Sequence, residues 1–274
     1  MNNPVVRRSC AFLLTAGLFL FGCLYTYRLE RTETRTRRAI LINELELTSG
    51  NGEINVSATT DSLVAVTITP YAWGRDSTDA SRTLNNIVIT DTVIGTTWHL
   101  TAQLPKVRSA CGVQFSASAP EGTGLRLNTT NAQVTVSGMT GGITVTTSNG
   151  PITLTGTRGA ARLSTTNSPI TVQVHRGPVN IQTSNGTIEC DLAELSPTDS
   201  AALRTTNAKV ALLVPADISA TVDAQTTNGA VTITGFSPIT YELQERNHQR
   251  ARIGSGAAPV TIRTTNGDIT IRAR

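Results

Sequence analysis

The chain has 274 residues, of which 39% are hydrophobic but only 4% aromatic and 15% charged, a charged share well under the usual quarter. Its formal charge is +4, yet seven of the 23 basic residues and two of the 19 acidic ones lie in the first 38 positions, so the remainder carries 16 bases against 17 acids. That near-neutral body argues against nucleic acid as a partner, because a nucleic-acid binder carries its positive charge on the folded domain. A Thr-, Val- and Ile-rich chain points instead to pleated, half-buried strands.

At the amino terminus, Arg7 and Arg8 precede the apolar run Ala11 to Gly22, the layout of a secretory signal. The stretch Leu20-Phe21-Gly22-Cys23 resembles a bacterial lipobox and makes Cys23 the expected lipidation site. The alternative is a single-span anchor, since Cys10 to Tyr27 is an 18-residue, mostly apolar stretch of about bilayer length. Either reading expects the protein to be exported and membrane-anchored in the cell envelope, periplasmic or at the surface. Residues 28–42 are charged at first and are expected to be a tether, its arginines either meeting anionic lipid headgroups or standing in solvent as a plain linker. Residues 43–274 are then the domain proper.

Alternating runs predict strands at Glu44 to Leu47, Glu53 to Val56, Leu63 to Thr69, Ile87 to Thr90, Thr97 to Ala102 and Val113 to Ala117. Asp76 to Asn86 reads as one short helix capped by Ser77. This irregular half is expected to cap a stack, whose terminal strands would otherwise invite edge-to-edge pairing.

From residue 125 a pattern repeats. Thr-Thr-Asn-Ala-Gln-Val-Thr-Val at 129–136 returns as Thr-Ser-Asn-Gly-Pro-Ile-Thr-Leu at 147–154 and Thr-Thr-Asn-Ser-Pro-Ile-Thr-Val at 165–172. The recurring asparagines are Asn131, Asn149, Asn167, Asn185, Asn207, Asn228 and Asn266. The first three spacings are 18 residues and the later ones 22, 21 and 38. Fixed self-similarity is the mark of stacked architecture. Each unit carries two alternating runs, such as Val134/Val136 and Ile143/Val145, so both strands offer aliphatic residues to one interior. An antiparallel meander built on Asn-Gly hairpins is the alternative. Ala132, Ser168 and Ala208 replace the glycine, which a type I′ turn tolerates badly. An all-β parallel β-solenoid, with two short strands per ~18-residue coil, also explains the recurring asparagine. Coils stack about 4.8 Å apart, and equivalent Asn side chains then hydrogen-bond in a ladder.

Phe236 to Ala258 interrupts the repeat; it reads either as a tolerated surface excursion or as an irregular loop on a rigid scaffold, where binding residues often sit. Tyr241, Arg246, His248 and Arg250 are its candidate binding residues. Cys111 and Cys190 are expected to be unbridged core thiols, since stacking separates them by about four coils. The three histidines lie in no ligand spacing, so no metal or other cofactor is expected. Glu189, Asp191 and Glu194 are the densest acids. Glu189 and Asp191 share a strand face about 6.5 Å apart, a separation compatible with glycoside hydrolysis and with ordinary surface acids. Clustered aromatics, the usual sugar-stacking platform, are not evident.

The opening Ser49-Gly50-Asn51-Gly52-Glu53-Ile54-Asn55-Val56, the Ala119-Pro120-Glu121-Gly122-Thr123 step, the Thr-Thr-Asn-Gly turns and the closing Thr264-Thr265-Asn266-Gly267-Asp268-Ile269-Thr270-Ile271 together resemble the bacterial DUF4097, or "putative adhesin", domain over roughly residues 43 to 272. The resemblance implies a β-helix-like fold, lipoprotein or membrane anchoring and no enzymatic activity. It supplies no site residues. The expectation is a non-catalytic envelope module that binds a glycan or an envelope protein or serves a structural role. A polysaccharide-active enzyme and an envelope-stress sensor or scaffold are the alternatives.

Overall fold

The structure, a computed structural model, describes residues 27–106 and 110–274; the segment carrying Cys23 lies outside the described residues. The alternating runs fold as short strands. The irregular half contains β1 (Tyr27–Glu30), β2 (Glu33–Arg38), β3 (Glu44–Thr48), β4 (Ile54–Thr59), β5 (Leu63–Gly74), α1 (Ser77–Asn85), β6 (Val88–Ile94), β7 (Thr97–Gln103) and β8 (Cys111–Pro120). The repeats contribute β9 (Gly124–Asn128), β10 (Val134–Ser137), β11 (Ile143–Thr146), β12 (Ile152–Thr155), β13 (Ala161–Ser164), β14 (Ile170–Arg176), β15 (Val179–Gln182), β16 (Ile188–Glu194), β17 (Ala201–Arg204), β18 (Val210–Val214), β19 (Ala220–Gln225) and β20 (Val231–Thr234). The chain ends with β21 (Ile239–Gln244), β22 (His248–Ile253), β23 (Ala258–Arg263) and β24 (Ile269–Ala273).

These strands form two 12-stranded sheets facing each other. Successive repeats pair in parallel and in register, so Val134 lies beside Ile152 and Ile152 beside Ile170. Parallel pairing of consecutive units is a solenoid stack and excludes the meander. The aliphatic residues of both sheets share one continuous core, and each buried Val, Leu or Ile contributes about 1.5–3 kcal/mol.

The stack does not follow chain order at either end. One sheet runs β8-β4-β10-β12-β14-β16-β18-β24-β20 and the other β7-β3-β9-β11-β13-β15-β17-β23-β19. The β3–β4 coil is therefore intercalated behind β7 and β8, and the final β23–β24 coil between β17–β18 and β19–β20. Although last in the chain, β24 is therefore interior, and β20 is the last strand of its sheet.

Three of the four outermost parallel strands, β7, β8 and β19, are covered by antiparallel ones. At the first end β5 pairs with β8 and β6 with β7. Residues 28–42, expected to be a tether, are instead largely strand: β1 and β2 pair antiparallel with β5. The local reason is a period-two pattern in which charge is neutralised. Arg35 pairs with Glu33 and Asp91, and Arg37 with Asp91. Asp91 also accepts the indole N–H of fully buried Trp98 at 2.8 Å, and the Arg37 guanidinium lies over that ring. One carboxylate thus ties β2 of the first sheet to β6 and β7 of the second. The helix forms where expected, but Asp76 rather than Ser77 caps it, accepting from the Asp79 N–H at 2.8 Å.

The asparagine ladder is continuous. Asn131 Nδ2 donates to Asn51 Oδ1, Asn149 to Asn131, Asn167 to Asn149, Asn185 to Asn167 and Asn207 to Asn185, at 2.6–2.7 Å. It then jumps with the intercalated coil: Asn266 donates to Asn207, and Asn228 to Asn266. Below it runs a second, buried ladder. Thr165, Thr183, Thr205 and Thr264 each donate a hydroxyl to a turn carbonyl of the neighbouring coil.

Cys111 and Cys190 are buried and unbridged. Their strands β8 and β16 are five strand spacings apart, about 24 Å. A bulge in β14 leaves Val174 at φ 55° and turns His175 inward. His175 is fully buried; its Nδ1 meets Thr157 Oγ1 at 2.9 Å, and its Nε2 has no partner. Burial pushes its pKa below 6.5, outweighing nearby backbone hydrogen bonds. A depressed folded pKa means that protonation favours unfolding. Stability is therefore expected to be full above pH 6.5 and to fall as pH drops through the folded pKa. His175→Gln should flatten that slope in urea unfolding measured across pH 5 to 8; an unchanged slope would assign it to another group.

Candidate functional site

Three residues of β5 and β1 set the site. On β5, Tyr71 and Trp73 alternate with Ala72 and so share the outer face of the first sheet, while Ala72 is buried. Arg28 and Glu30 of β1 lie opposite Trp73 and Tyr71 in register. The Arg28 guanidinium stands 4.8 Å from the Tyr71 ring centre and 5.8 Å from that of Trp73, within cation–π range. Glu30 pairs with Arg28 at 2.9 Å. The phenol of Tyr71 lies across Gly112, where any Cβ would strike it and the Asn51 carbonyl. Burial raises the Tyr71 pKa while Arg28 opposes it, so the hydroxyl stays protonated at neutral pH.

These groups form one wall of an outward-facing groove of about 470 Å³, within the roughly 300–1,000 Å³ of small-molecule sites. Its floor is polar. Gln114 of β8, Glu53 immediately before β4 and Gln133 immediately before β10 stand side by side across three neighbouring strands. The first rungs of the ladder, Asn51 and Asn131, complete the lining. Asn51 Nδ2 donates to the Cys111 carbonyl at 3.2 Å, which fixes its orientation. A second, wider groove of about 780 Å³ crosses the other sheet over Gly124, Gly142, Ala160 and Pro178, flanked by Arg126 and Arg162. Arg126 is held by Glu44 and Glu46.

The Phe236 to Ala258 insertion is not an irregular loop. It forms the antiparallel hairpin β21–β22, which adds to β19. Tyr241, Arg246, His248 and Arg250, expected to bind a partner, serve this closure. The Arg246 carbonyl accepts the Val231 N–H at 2.8 Å, Gln249 donates to the Val231 carbonyl at 3.0 Å, and the Tyr241 hydroxyl points to the Ile233 carbonyl at 3.4 Å. These are outward-facing groups of β20. His248 and Arg250 approach Asp223 of β19 at 2.9 and 3.7 Å, and Arg263 of β23 reaches the same carboxylate at 2.7 Å.

Of the acids considered for hydrolysis, Glu189 and Asp191 share the outward face of β16. Asp191 lies 3.4 Å from Arg274, and Glu194 pairs with Arg158 and Arg176 at the far turn. Among the described residues no group of three His, Cys, Asp or Glu side chains is placed to hold a metal ion.

The Tyr71/Trp73 platform was the missed feature. Its signal was present in Tyr71-Ala72-Trp73, two aromatics at strand period in a chain with four Tyr and two Trp. Arg28, the third member, was hidden because it belongs to the segment read as a tether.

No curated protein matches the chain in sequence. Among solved structures, a "putative cell adhesion protein" from Clostridium sporogenes is 12% identical with a TM-score of 0.44, over 89% of this chain and 100% of that one. A "putative adhesin" from Bacteroides fragilis is 13% identical at 0.38, over 89% and 97%. A "putative lipid binding protein" from Parabacteroides distasonis is 11% identical at 0.33, over 89% and 96%. The family model described as Toastrack DUF4097 matches residues 36–272, and with nearly the whole described fold inside that match, the chain belongs to the DUF4097 Toastrack family.

Proposed function

We propose that the protein is a non-catalytic, adhesin-like binding module of the cell envelope, exported and held at a membrane through Cys23 or an N-terminal span. The observation that carries the reading is a preformed groove with an aromatic–guanidinium wall and a polar floor, built on rigid paired strands. Preorganised strands lose little conformational entropy on binding a partner. The groove includes residues of β1, where the described chain begins. Attachment is placed in the segment before β1 because Cys23 and the apolar run Ala11 to Gly22 lie there; among the described residues no helix is long and apolar enough to cross a membrane. The partner is a glycan or an envelope protein.

Cell fractionation and a retention assay test this together. Native protein is expected in the membrane fraction, and Cys23→Ala in the soluble exported fraction if lipid is the anchor. Retention on envelope polysaccharide or envelope protein without new reducing ends is the expected binding result. New reducing ends would overturn the non-catalytic assignment, and cytoplasmic recovery of native protein would overturn the localisation.

A further inference from the structure

The structure assigns the Tyr71/Trp73 groove as a site for an uncharged glycan segment, and this assignment rests on the binding-module reading above. Three observations select that chemistry. First, the groove's charges do not suit an anion. Arg28 is already paired with Glu30 at 2.9 Å, and Glu53 adds a further negative charge to the floor. A phosphate or carboxylate would meet net repulsion, as like charges do in any desolvating site. Second, the polar groups are of the planar kind that engage neighbouring hydroxyls in pairs. Gln114, Glu53 and Gln133 lie on or next to adjacent strands about 4.8 Å apart; Gln133 Nε2 donates to Thr135 at 2.9 Å, leaving its carbonyl oxygen for a ligand. Amides and a carboxylate together offer donors and acceptors to a hydroxyl whichever way it turns. Third, the aromatic wall supplies what a sugar ring's C–H face needs. Trp73 and Tyr71 are held in place from one side by Arg28 and by the close approach of Gly112, so contact with a ring requires no reordering.

A protein partner would suit the wall, since interfaces are enriched in Tyr, Trp and Arg, but fits the floor less well, because their cores are depleted of acidic side chains and this floor carries Glu53. The ladder adds direction. Asn51 and Asn131 are its first rungs and lie in the groove, and the exposed asparagines continue from them across the coils at the same spacing. A chain longer than the groove therefore meets amides along that line.

Trp73 makes the test direct, because the only other tryptophan, Trp98, is fully buried. Full-length protein in a zwitterionic detergent is titrated with chitotriose, maltoheptaose and cellohexaose while tryptophan emission is followed. Polygalacturonate and phosphatidylglycerol vesicles serve as anionic probes. At least one neutral oligosaccharide is expected to give a saturable change. Calorimetric titration of Glu53→Gln and Trp73→Ala should show affinity for it reduced about tenfold or more, with thermal midpoints unchanged. Glu189→Gln, on the same sheet but far from the groove, should bind as native. Preference for the anionic probes would overturn the assignment, as would no saturable response to any neutral glycan or equal affinity in the groove variants. If glycan retention persists in Trp73→Ala and Glu53→Gln, the binding-module reading stands and this site falls. If only envelope proteins are retained, the reading stands with a protein partner and the glycan assignment falls.

Discussion

Gly186→Ala, at a buried position beside the exposed Asn185, is expected to destabilise the protein by about 3 kcal/mol. In spatial order the residues after the ladder asparagines are Gly52, Ala132, Gly150, Ser168, Gly186, Ala208, Gly267 and Gly229. A Cβ on Gly150 would overlap the Ala132 carbonyl, one on Gly186 the Ser168 carbonyl, and one on Gly267 the Ala208 carbonyl. Glycine is needed here for close approach to backbone. Neither Gly150 nor Gly186 has positive φ. The neighbouring turn cannot retreat, because Asn185 donates to Asn167 and Thr183 to the Ser168 carbonyl across the same gap. Relief would stretch both ladders at once. Ala208→Gly, at an equivalent turn that tolerates a Cβ, should cost no more than about 1 kcal/mol, the backbone-entropy difference. Urea unfolding of the two variants checks this. Equal losses would mean that the turns move freely and that the glycine is not sterically required.

The same turns show what sequence reasoning could and could not reach. The recurring asparagine and the inward Val/Ile positions were legible because a stack places equivalent residues above one another, and the expected ladder is found. The objection to a type I′ hairpin at Ala132, Ser168 and Ala208 was also sound, for none of the three has positive φ. Spatial order was not legible. Nothing in Asn266-Gly267-Asp268 distinguishes a last coil from an inserted one, because its Val260, Ile262, Ile269 and Ile271 repeat the core pattern of every other coil. The intercalation depends on long-range pairing of β24 with both β18 and β20. The tether was misread for a related reason. Glu33 to Arg38 looks like solvated charge until β5 and Asp91 supply partners from 25 to 56 residues away. The groove then followed that misreading, since both aromatics of its wall are braced by Arg28.

Replacing residues 235–257 with the five-residue turn of residues 156–160 is expected to leave a folded protein that self-associates. Two edges would be bared together. β19 would lose β22, its partner on the outer side. β20 would lose the groups that now meet the outward Val231 N–H and the Val231 and Ile233 carbonyls. A row of unpaired backbone groups on a flat parallel stack is a template for another chain. The rest of the protein removes such templates: β5 and β6 cover the first end, and charged β2 covers β5. Asp223 holds the second cover in place, joining β19 to His248 and Arg250 of β22 and to Arg263 of β23. Burial alone would raise its pKa, but Arg263 and His248 outweigh that and hold the carboxylate below its ordinary 3.8. Its contribution is therefore complete above that value and is lost as pH falls through the lower folded pKa. Acid should loosen the hairpin before neutral conditions do, and Asp223→Ala should do so at neutral pH. Light scattering after gel filtration reads the result. Oligomers in the deletion variant, and partial association in Asp223→Ala, would identify the hairpin as an edge guard. A monomeric deletion variant with an unchanged melting temperature would return Tyr241, Arg246, His248 and Arg250 to the role of a binding surface.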